Sequence, residues 1–406
     1  MNSTWRILLG LVLGISVGAA LQPGTMADQI LAVAEPVGTI WLNALKMTII
    51  PMVVALLIGG IASAAEAARG GRLAVRAIAW FTGMLIVGVA IAAVATEAIL
   101  AAWPFDIETT AALRAGAVPG SVPSVPGATE MIASIIPSNF FAALSSGEML
   151  PIVLFALLFG FAVTRVEPAL RAPIVSLANS ISTTMMVIVN WVLLIAPIGI
   201  FALALGVGER VGLGAAGAIM HYVAVVSLVL ILQMLLVTYP VAILAGRVAP
   251  LTFFRAALPV QALALSTQSS LATLPAMIAQ CRTALNLPER SVALTLPLAV
   301  SLFRITSPAG NLAVVLIVAH IYGIDLGWGA VALGAAIGVV GSLAVVGVAS
   351  SASFFVVIVP ISLALGVPVE LLPLLLPVEV FPDLWRTVGN VTADMAVAAA
   401  TGDEPR

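Results

Sequence analysis

Stretches of apolar residues long enough to cross a lipid bilayer recur along almost the whole chain, at about 5–22, 36–66, 72–103, 133–164, 174–206, 212–246, 289–322 and 370–400. A helix needs roughly 20 apolar residues to cross the hydrocarbon core, so the pattern predicts eight membrane spans, several long enough to tilt steeply. Composition closes the soluble alternative. Apolar types make up 62% of the 406 residues and charged types 8%, against roughly 25% charged in a soluble domain, whose surface must be wetted. The excess apolar surface must face lipid. Net charge is −2 and no basic cluster stands out, so nothing points to nucleic acid as a partner. Cys281 is alone, which rules out an intrachain disulfide and a thiolate metal cluster. Arg6 and the apolar run after it resemble a signal peptide, but no cleavage site is obvious and many spans follow; the segment reads as a retained first span. The longest polar stretch, Gly116 to Thr129, reads as an extramembrane loop, and no distinct soluble domain is expected.

Two further apolar stretches, about 253–284 and 331–367, are each broken near the middle by small polar residues. The first carries Ser266-Thr267-Gln268-Ser269-Ser270 and the second Ala349-Ser350-Ser351-Ala352-Ser353. Non-helical backbone survives at membrane depth only where it lines protein or a cavity, and paired interrupted segments point to a transporter's binding site. The alternative is a pair of Ser-rich kinked helices. If both segments are re-entrant hairpins, the arginines at 69, 72, 76, 165, 171, 247, 255, 282 and 290 all fall on one side. Positive residues favour the cytoplasmic side, so a cell (inner) membrane protein with both termini in the cytoplasm is expected.

The last span holds Glu379, Asp383, Arg386, Thr387, Asn390 and Asp394. At 100° per residue these six lie within an arc of about 100° on one helix face. A charge at the centre of a lipid-facing helix costs about 2.5–3.5 kcal/mol on insertion scales, so the stripe must face the protein interior or a wet cavity. Glu379 stays open between an interfacial structural role and an internal one. Arg386 offers a planar fork of donors suited to a carboxylate, Asp383 accepts from an ammonium, and Thr387 and Asn390 add neutral partners. Asn390 and Asp394 form an i, i+4 oxygen pair of the type that holds a hard cation. A ligand with two carboxylates and one amine fits this set. The structural alternative is an Asp383–Arg386 ion pair that only neutralises itself.

The tail Asp383-Leu-Trp-Arg386-Thr387-Val-Gly-Asn390-Val-Thr-Ala-Asp394 resembles the final-helix pattern D-x-x-R-T-x-x-N-x-x-x-D of the dicarboxylate/amino acid:cation symporters, the family of the glutamate and aspartate transporters. Ser269-Ser270-Leu-Ala-Thr-Leu-Pro275 is similar to that family's first hairpin tip, S-S-x-x-T-L-P; Leu45 to Gly60 is similar to its second span and Ala196 to Leu203 to the end of its fifth. The resemblance implies an all-α membrane protein of eight transmembrane helices plus two re-entrant helical hairpins. It also implies a homotrimer with an elevator motion, and no cofactor beyond a coupling cation, sodium or proton. In that scheme 1–70 and 105–206 form scaffold and connecting loop, while 71–104 and 207–406 form the transport domain. Arg386 becomes the partner of the substrate's side-chain carboxylate and Asp383 of its amine. Ser269, Ser270, Thr387, Asn390, Ser350 and Ser351 complete the substrate set. Asp394, Asn390, Arg304 and Ser301 form the cation or charge-compensating set.

The pattern departs from the family in the seventh span. N-M-D-G-T is replaced by Phe303-Arg304-Ile305-Thr306-Ser307, and the third span's sodium ligands align with Phe81 and Met84-Leu85. The second hairpin reads Gly347-Val348-Ala349-Ser350-Ser351 where the family has G-V-P-G-A. A sodium site at Asn390 and Asp394 is therefore doubtful, and Arg304 either replaces a cation beside Asp394, contacts substrate, or balances an acid. His221, His320 and Glu97 are open as proton carriers or structural partners, and Lys46 as a snorkelling side chain. No triad, P-loop or dinucleotide motif is present, so an enzyme is not expected. The expected function is secondary transport of acidic amino acids or C4-dicarboxylates with reduced or altered sodium coupling. The alternatives are a proton-coupled or uncoupled carrier of another organic anion, and a transport-dead sensor or partner-binding subunit.

Overall fold

Where lipid replaces water, each backbone N–H must find a carbonyl within its own segment. In the computed structural model the described residues accordingly form helices and their connections, with no strand among them. The described residues are 3–21, 24–68, 72–106, 110, 138–146, 149–211, 214–344 and 350–402. The predicted loop at 116–129, the tip of the second broken segment at 345–349, and the side chains of Lys46, Ser350 and Ser351 lie outside them.

The first half runs α1 (Ser3–Ala20), α2 (Thr25–Ala68), α3 (Arg72–Ala102), α4 (Phe140–Ser146), α5 (Met149–Arg165), α6 (Pro168–Leu194) and α7 (Ala196–Val211). The sequence reading of one span over 174–206 is corrected here: the helix breaks at Ile195, directly before Ala196-Pro197. Proline has no N–H to continue the ladder, so the break falls where the chain loses a donor. Helix α1 lies against α7 through Gly10, Gly14 and Gly18, spaced by four and so on one face. A Cβ at Gly14 would sit 2.7 Å from the Ala204 Cβ, and one at Gly18 2.2 Å from the Leu205 carbonyl oxygen. Small residues let two helices approach where lipid gives no hydrophobic drive to associate. Helix α2 packs on α5, α6 and α7, and Trp41 Nε1 donates to the Val192 carbonyl at 3.0 Å.

The second half opens with α8 (Gly214–Gln233), which widens into π-helical turns at Met234–Thr238 and Val241–Ala245 around Pro240. The Tyr239 N–H reaches the Met234 carbonyl and the Gly246 N–H the Val241 carbonyl, the i→i+5 register a proline can impose by removing one donor. Then come α9 (Pro250–Thr267), α10 (Ser270–Thr283), α11 (Glu289–Leu302), α12 (Thr306–Tyr322), α13 (Trp328–Ala344), α14 (Ser350–Ala364), α15 (Leu372–Leu375), a 3-10 turn Leu376–Glu379, and α16 (Val380–Thr401). The two broken segments of the sequence are the helix pairs α9/α10 and α13/α14, each packed against itself. At the first tip Gln268 takes a left-handed φ of 52°, and Ser269 caps α10 by accepting from the Ala272 N–H at 3.3 Å. The last helix begins at Val380, later than the 370 read from hydropathy; Pro373 and Pro377 lie in the short turns before it.

By length and composition, Arg72–Ala102, Pro168–Leu194, Ala216–Ala245 and Glu289–Tyr322 can each cross a membrane among the described residues. Their burial separates roles: an apolar 18-residue window is 83% buried within Glu289–Tyr322 and 17% buried within Pro168–Leu194. The former is a central element and the latter a peripheral one. Helix α16 is enclosed by α8, α9, α10, α11 and α12, and every residue from Thr387 to Thr401 is buried. The charged stripe therefore faces protein.

Candidate functional site

Between α11 and α12 the chain unwinds over 303–305, and Phe303 is extended at φ −116°, ψ 118°. Unwound backbone inside an apolar bundle needs partners. Gln233 Nε2, at the end of α8, donates to the Ile305 carbonyl at 2.8 Å. The first N–H of α12, Thr306, donates to Asn390 Oδ1 at 3.1 Å, and the Thr306 hydroxyl reaches the same oxygen at 2.9 Å and the Arg386 carbonyl at 3.1 Å. Asn390 thus ties α16 to the break, with two donors on its carbonyl oxygen. The phenyl ring of Phe303 stacks on Phe81 with centroids 4.7 Å apart. Both rings are buried with Met84, Leu85, Ile305, Ala393 and Val397 in a dry cluster.

The guanidinium of Arg386 lies flat on Gly310, where a Cβ would come within 2.5 Å of Nη1 and 2.7 Å of Cζ. Nη1 donates to Asn311 Oδ1 at 3.1 Å and Nη2 to Glu379 Oε2 at 3.0 Å. The two side chains of that ion pair are 12% and 10% exposed, Arg386 and Glu379 respectively. The other Glu379 oxygen accepts from the Tyr222 hydroxyl on α8. The arginine's ion pair is thus with Glu379, two turns back, in place of the Asp383 pairing considered from sequence. Asp383 is half-buried on the same face, and Thr387 turns its hydroxyl back to the Asp383 carbonyl at 3.0 Å.

One turn beyond Asn390, Asp394 is 1% exposed and neither carboxylate oxygen accepts a hydrogen bond among the described residues. Arg304, half-buried in the unwound stretch, supplies the opposing charge that acts on it through space, and acts on Asp383 as well. Ser301 is exposed and bonds back to the Pro297 carbonyl at 2.8 Å. Ser269 and Ser270 stand half-buried at the first hairpin tip. That hairpin is anchored to α16 by Gln261 Nε2, which donates to Thr392 Oγ1 at 3.0 Å. His221, next to Tyr222 in the chain, is stacked between Trp103 and Phe105 at 4.0 and 4.2 Å. His320 and Glu97 border a separate cavity of 240 Å³ with Asp325. Among the described residues no cluster of His, Cys, Asp and Glu could hold a metal ion.

Several contributors escaped the sequence reading, Gln233 among them. Asn311 and Gly310 interrupt an otherwise apolar helix, a signal a buried polar residue always carries. Tyr222 had no signal, since an aromatic in a span is ordinarily lipid-facing or core.

An all-helical bundle, apolar outside, that gathers ionised side chains on the inner face of one buried helix is a membrane transporter. The sodium:dicarboxylate symporter family matches residues 4–403, and the chain belongs to it. It is 28% identical over 405 residues to the proton/glutamate-aspartate symporter of Escherichia coli (strain K12), covering 97% of this chain and 92% of that one. It is 29% identical over 404 residues to the proton/sodium-glutamate symport protein of Bacillus subtilis (strain 168), covering 97% and 90%. It is also 29% identical over 417 residues to the C4-dicarboxylate transport protein of Solibacter usitatus (strain Ellin6076), covering 98% and 91%. The protein is thus a transporter of the symporter family and not an enzyme, and that family fits a coupling cation with no organic cofactor. The family expectation from the final-helix motif is borne out.

Proposed function

We propose that this protein is a secondary active transporter of acidic amino acids or C4-dicarboxylates whose coupling to sodium is reduced or altered. The observation that carries the reading is the buried Arg386 guanidinium, held on Gly310 between Glu379 and Asn311. It is a fork of donors preorganised for a carboxylate. Asp383 on the same face is the partner for an amine when the substrate has one. Ser269, Ser270, Thr387 and Asn390 frame the remaining polar contacts, and Ser350 and Ser351 are assigned to the same set from sequence alone. The substrates for which the relatives are named, glutamate, aspartate and C4-dicarboxylates, share the two carboxylates this site is read to select.

A hard cation needs about six oxygens. The Phe81–Phe303 stack fills the place of the family's sodium ligands with ring carbons, and the Asn390 carbonyl oxygen is engaged by Thr306. These residues do not fit that sodium ion. Asp394 with Arg304 nearby reads instead as a carboxylate compensated by a fixed cation. The extra positive charge of Arg304 favours a second reading of the same class, a proton-coupled or uncoupled carrier of another organic anion.

The mechanism is an elevator in which 71–104 and 207–406 move as a transport domain against a scaffold of 1–70 and 105–206. Packing of α1, α2, α5, α6 and α7 among themselves supports this division. Ser176, Asn179, Ser180 and Thr183 of α6 line an 810 Å³ groove with Ala62. Polar groups on a peripheral membrane helix favour cover by protein, which supports an oligomer; its reading as a homotrimer rests on the family resemblance. The location is the cell (inner) membrane with both termini cytoplasmic.

The test is uptake of radiolabelled l-aspartate and succinate into liposomes holding the full-length protein, with choline replacing sodium. Uptake that persists in choline and is lost in Arg386→Ala is expected. Strict sodium dependence refutes the altered coupling, and no uptake of either solute favours the non-transporting sensor.

A further inference from the structure

We infer that Glu379 is the proton site of this transporter: it and the substrate's carboxylate compete for Arg386, and substrate binds together with one proton that converts Glu379 to its acid. The inference rests on the substrate reading above and adds the coupling ion and its residue.

The Glu379–Arg386 ion pair balances one carboxylate with one guanidinium. Arg386 Nη2 is 3.0 Å from Glu379 Oε2, and its other partner, Asn311, is neutral. The segment that leads into Glu379 is apolar: Leu371, Leu372, Leu374, Leu375, Leu376 and Val378 are all buried. When a substrate carboxylate takes the guanidinium, two carboxylates share one cation in a largely buried setting, and like charges so placed disfavour ionisation of both. A proton on Glu379 restores the balance. The ionised Glu379 paired with Arg386, plus the substrate carboxylate and one proton, become neutral Glu379 and a substrate–Arg386 ion pair; charge within the site is unchanged.

Tyr222 suits both states. Its hydroxyl donates to the Glu379 carboxylate as found, and the same hydroxyl can accept from the carboxylic acid after rotation. The groups that act on Glu379 are Arg386, Tyr222 and Asp383. Among the described residues the other elements packed on its turn bring no competing charge: α14 and α15 contain no titratable side chain, and neither Arg6 of α1 nor His221 of α8 acts on it.

The experiment is titration calorimetry of detergent-purified full-length protein with l-aspartate and with succinate, in sodium-free alkaline buffers of different ionisation enthalpy. The buffer dependence counts protons taken up per ligand. Wild type is expected to take up about one proton, with affinity falling about tenfold per pH unit over that range. Glu379→Gln is expected to bind without proton uptake and with affinity flat in pH. His221→Gln, which removes the neighbouring titratable ring, keeps the wild-type count. Binding by wild type without proton uptake overturns the inference whether or not the variants fold. So does full uptake in Glu379→Gln, or its loss in His221→Gln. If neither anion binds wild type, the substrate reading falls first and this inference with it.

Discussion

Replacing Gly310 by alanine tests the site with a single added carbon. The new Cβ would stand 2.5 Å from Arg386 Nη1, 2.7 Å from Cζ and 2.9 Å from Nη2, whereas ordinary contact begins at 3.4 Å. The guanidinium must retreat from α12 by about 0.9 Å, because atoms at closer range are on the repulsive wall. Retreat lengthens the 3.1 Å bond to Asn311 Oδ1, which is carried by the same helix, to roughly 4 Å, beyond hydrogen-bond range. A hydrogen bond from a charged donor contributes about 1.5–3 kcal/mol. An acidic ligand that depends on the same guanidinium position loses a similar amount, or about 10- to 150-fold in Kd. The fold should survive, since alanine is favoured over glycine in a helix interior by about 1 kcal/mol. The assay is calorimetric binding of l-aspartate and succinate to Gly310→Ala and wild type, beside thermal melts without ligand. Wild-type affinity in a folded Gly310→Ala protein would refute the claim that the arginine is positioned by its seat on α12.

Thr306→Val removes the hydroxyl that bridges Asn390 and the Arg386 carbonyl; it should cost about 1–2 kcal/mol and lower Tm, with Thr306→Ser recovering most of the loss. Equal Tm values for the three proteins would count against the bridge. Gly14→Leu forces side-chain atoms where a Cβ already meets Ala204 and the Phe201 carbonyl at 2.7 Å. It should part α1 from α7 and lower Tm by the equivalent of about 1–3 kcal/mol. Gly217→Ala, with nothing within 4 Å, serves as its neutral comparison. Phe303→Asn returns the family's polar residue to the unwound stretch but leaves an amide against the Phe81 ring. It should destabilise by about 1–3 kcal/mol as a buried polar group without a partner; a gain in Tm on adding sodium would instead mean the variant has rebuilt an ion site.

On the proposed reading, the substrate arginine and the sodium positions are separate parts of one motif that diverge separately. The stripe Asp383, Arg386, Thr387, Asn390 and Asp394 follows the family's final-helix pattern, while the layer facing it from α3 and the α11–α12 break is aromatic and aliphatic. The backbone nevertheless unwinds at 303–305. Gln233 and Asn390 satisfy the freed groups, so the break is held by the polar side chains of neighbouring helices without the family's own Asn and Asp.

Hydropathy and helical period made the membrane class, most helices and the charged face of α16 legible from residues alone, because both are properties of a segment by itself. A period of 100° per residue says which residues share a face. It says nothing of what that face meets. That Arg386 pairs with Glu379 in place of Asp383, that Tyr222 and Asn311 complete the set, and that Asn390 spends its oxygen on Thr306 are decided between helices far apart in the chain. The break at Ile195 and the late start of α16 were hidden for a related reason: hydropathy is blind to where a ladder of hydrogen bonds is cut. Sequence determined that this chain must keep an ionised helix face away from lipid; only the packing of α8 and α12 against α16 decided which charge each residue there would answer to.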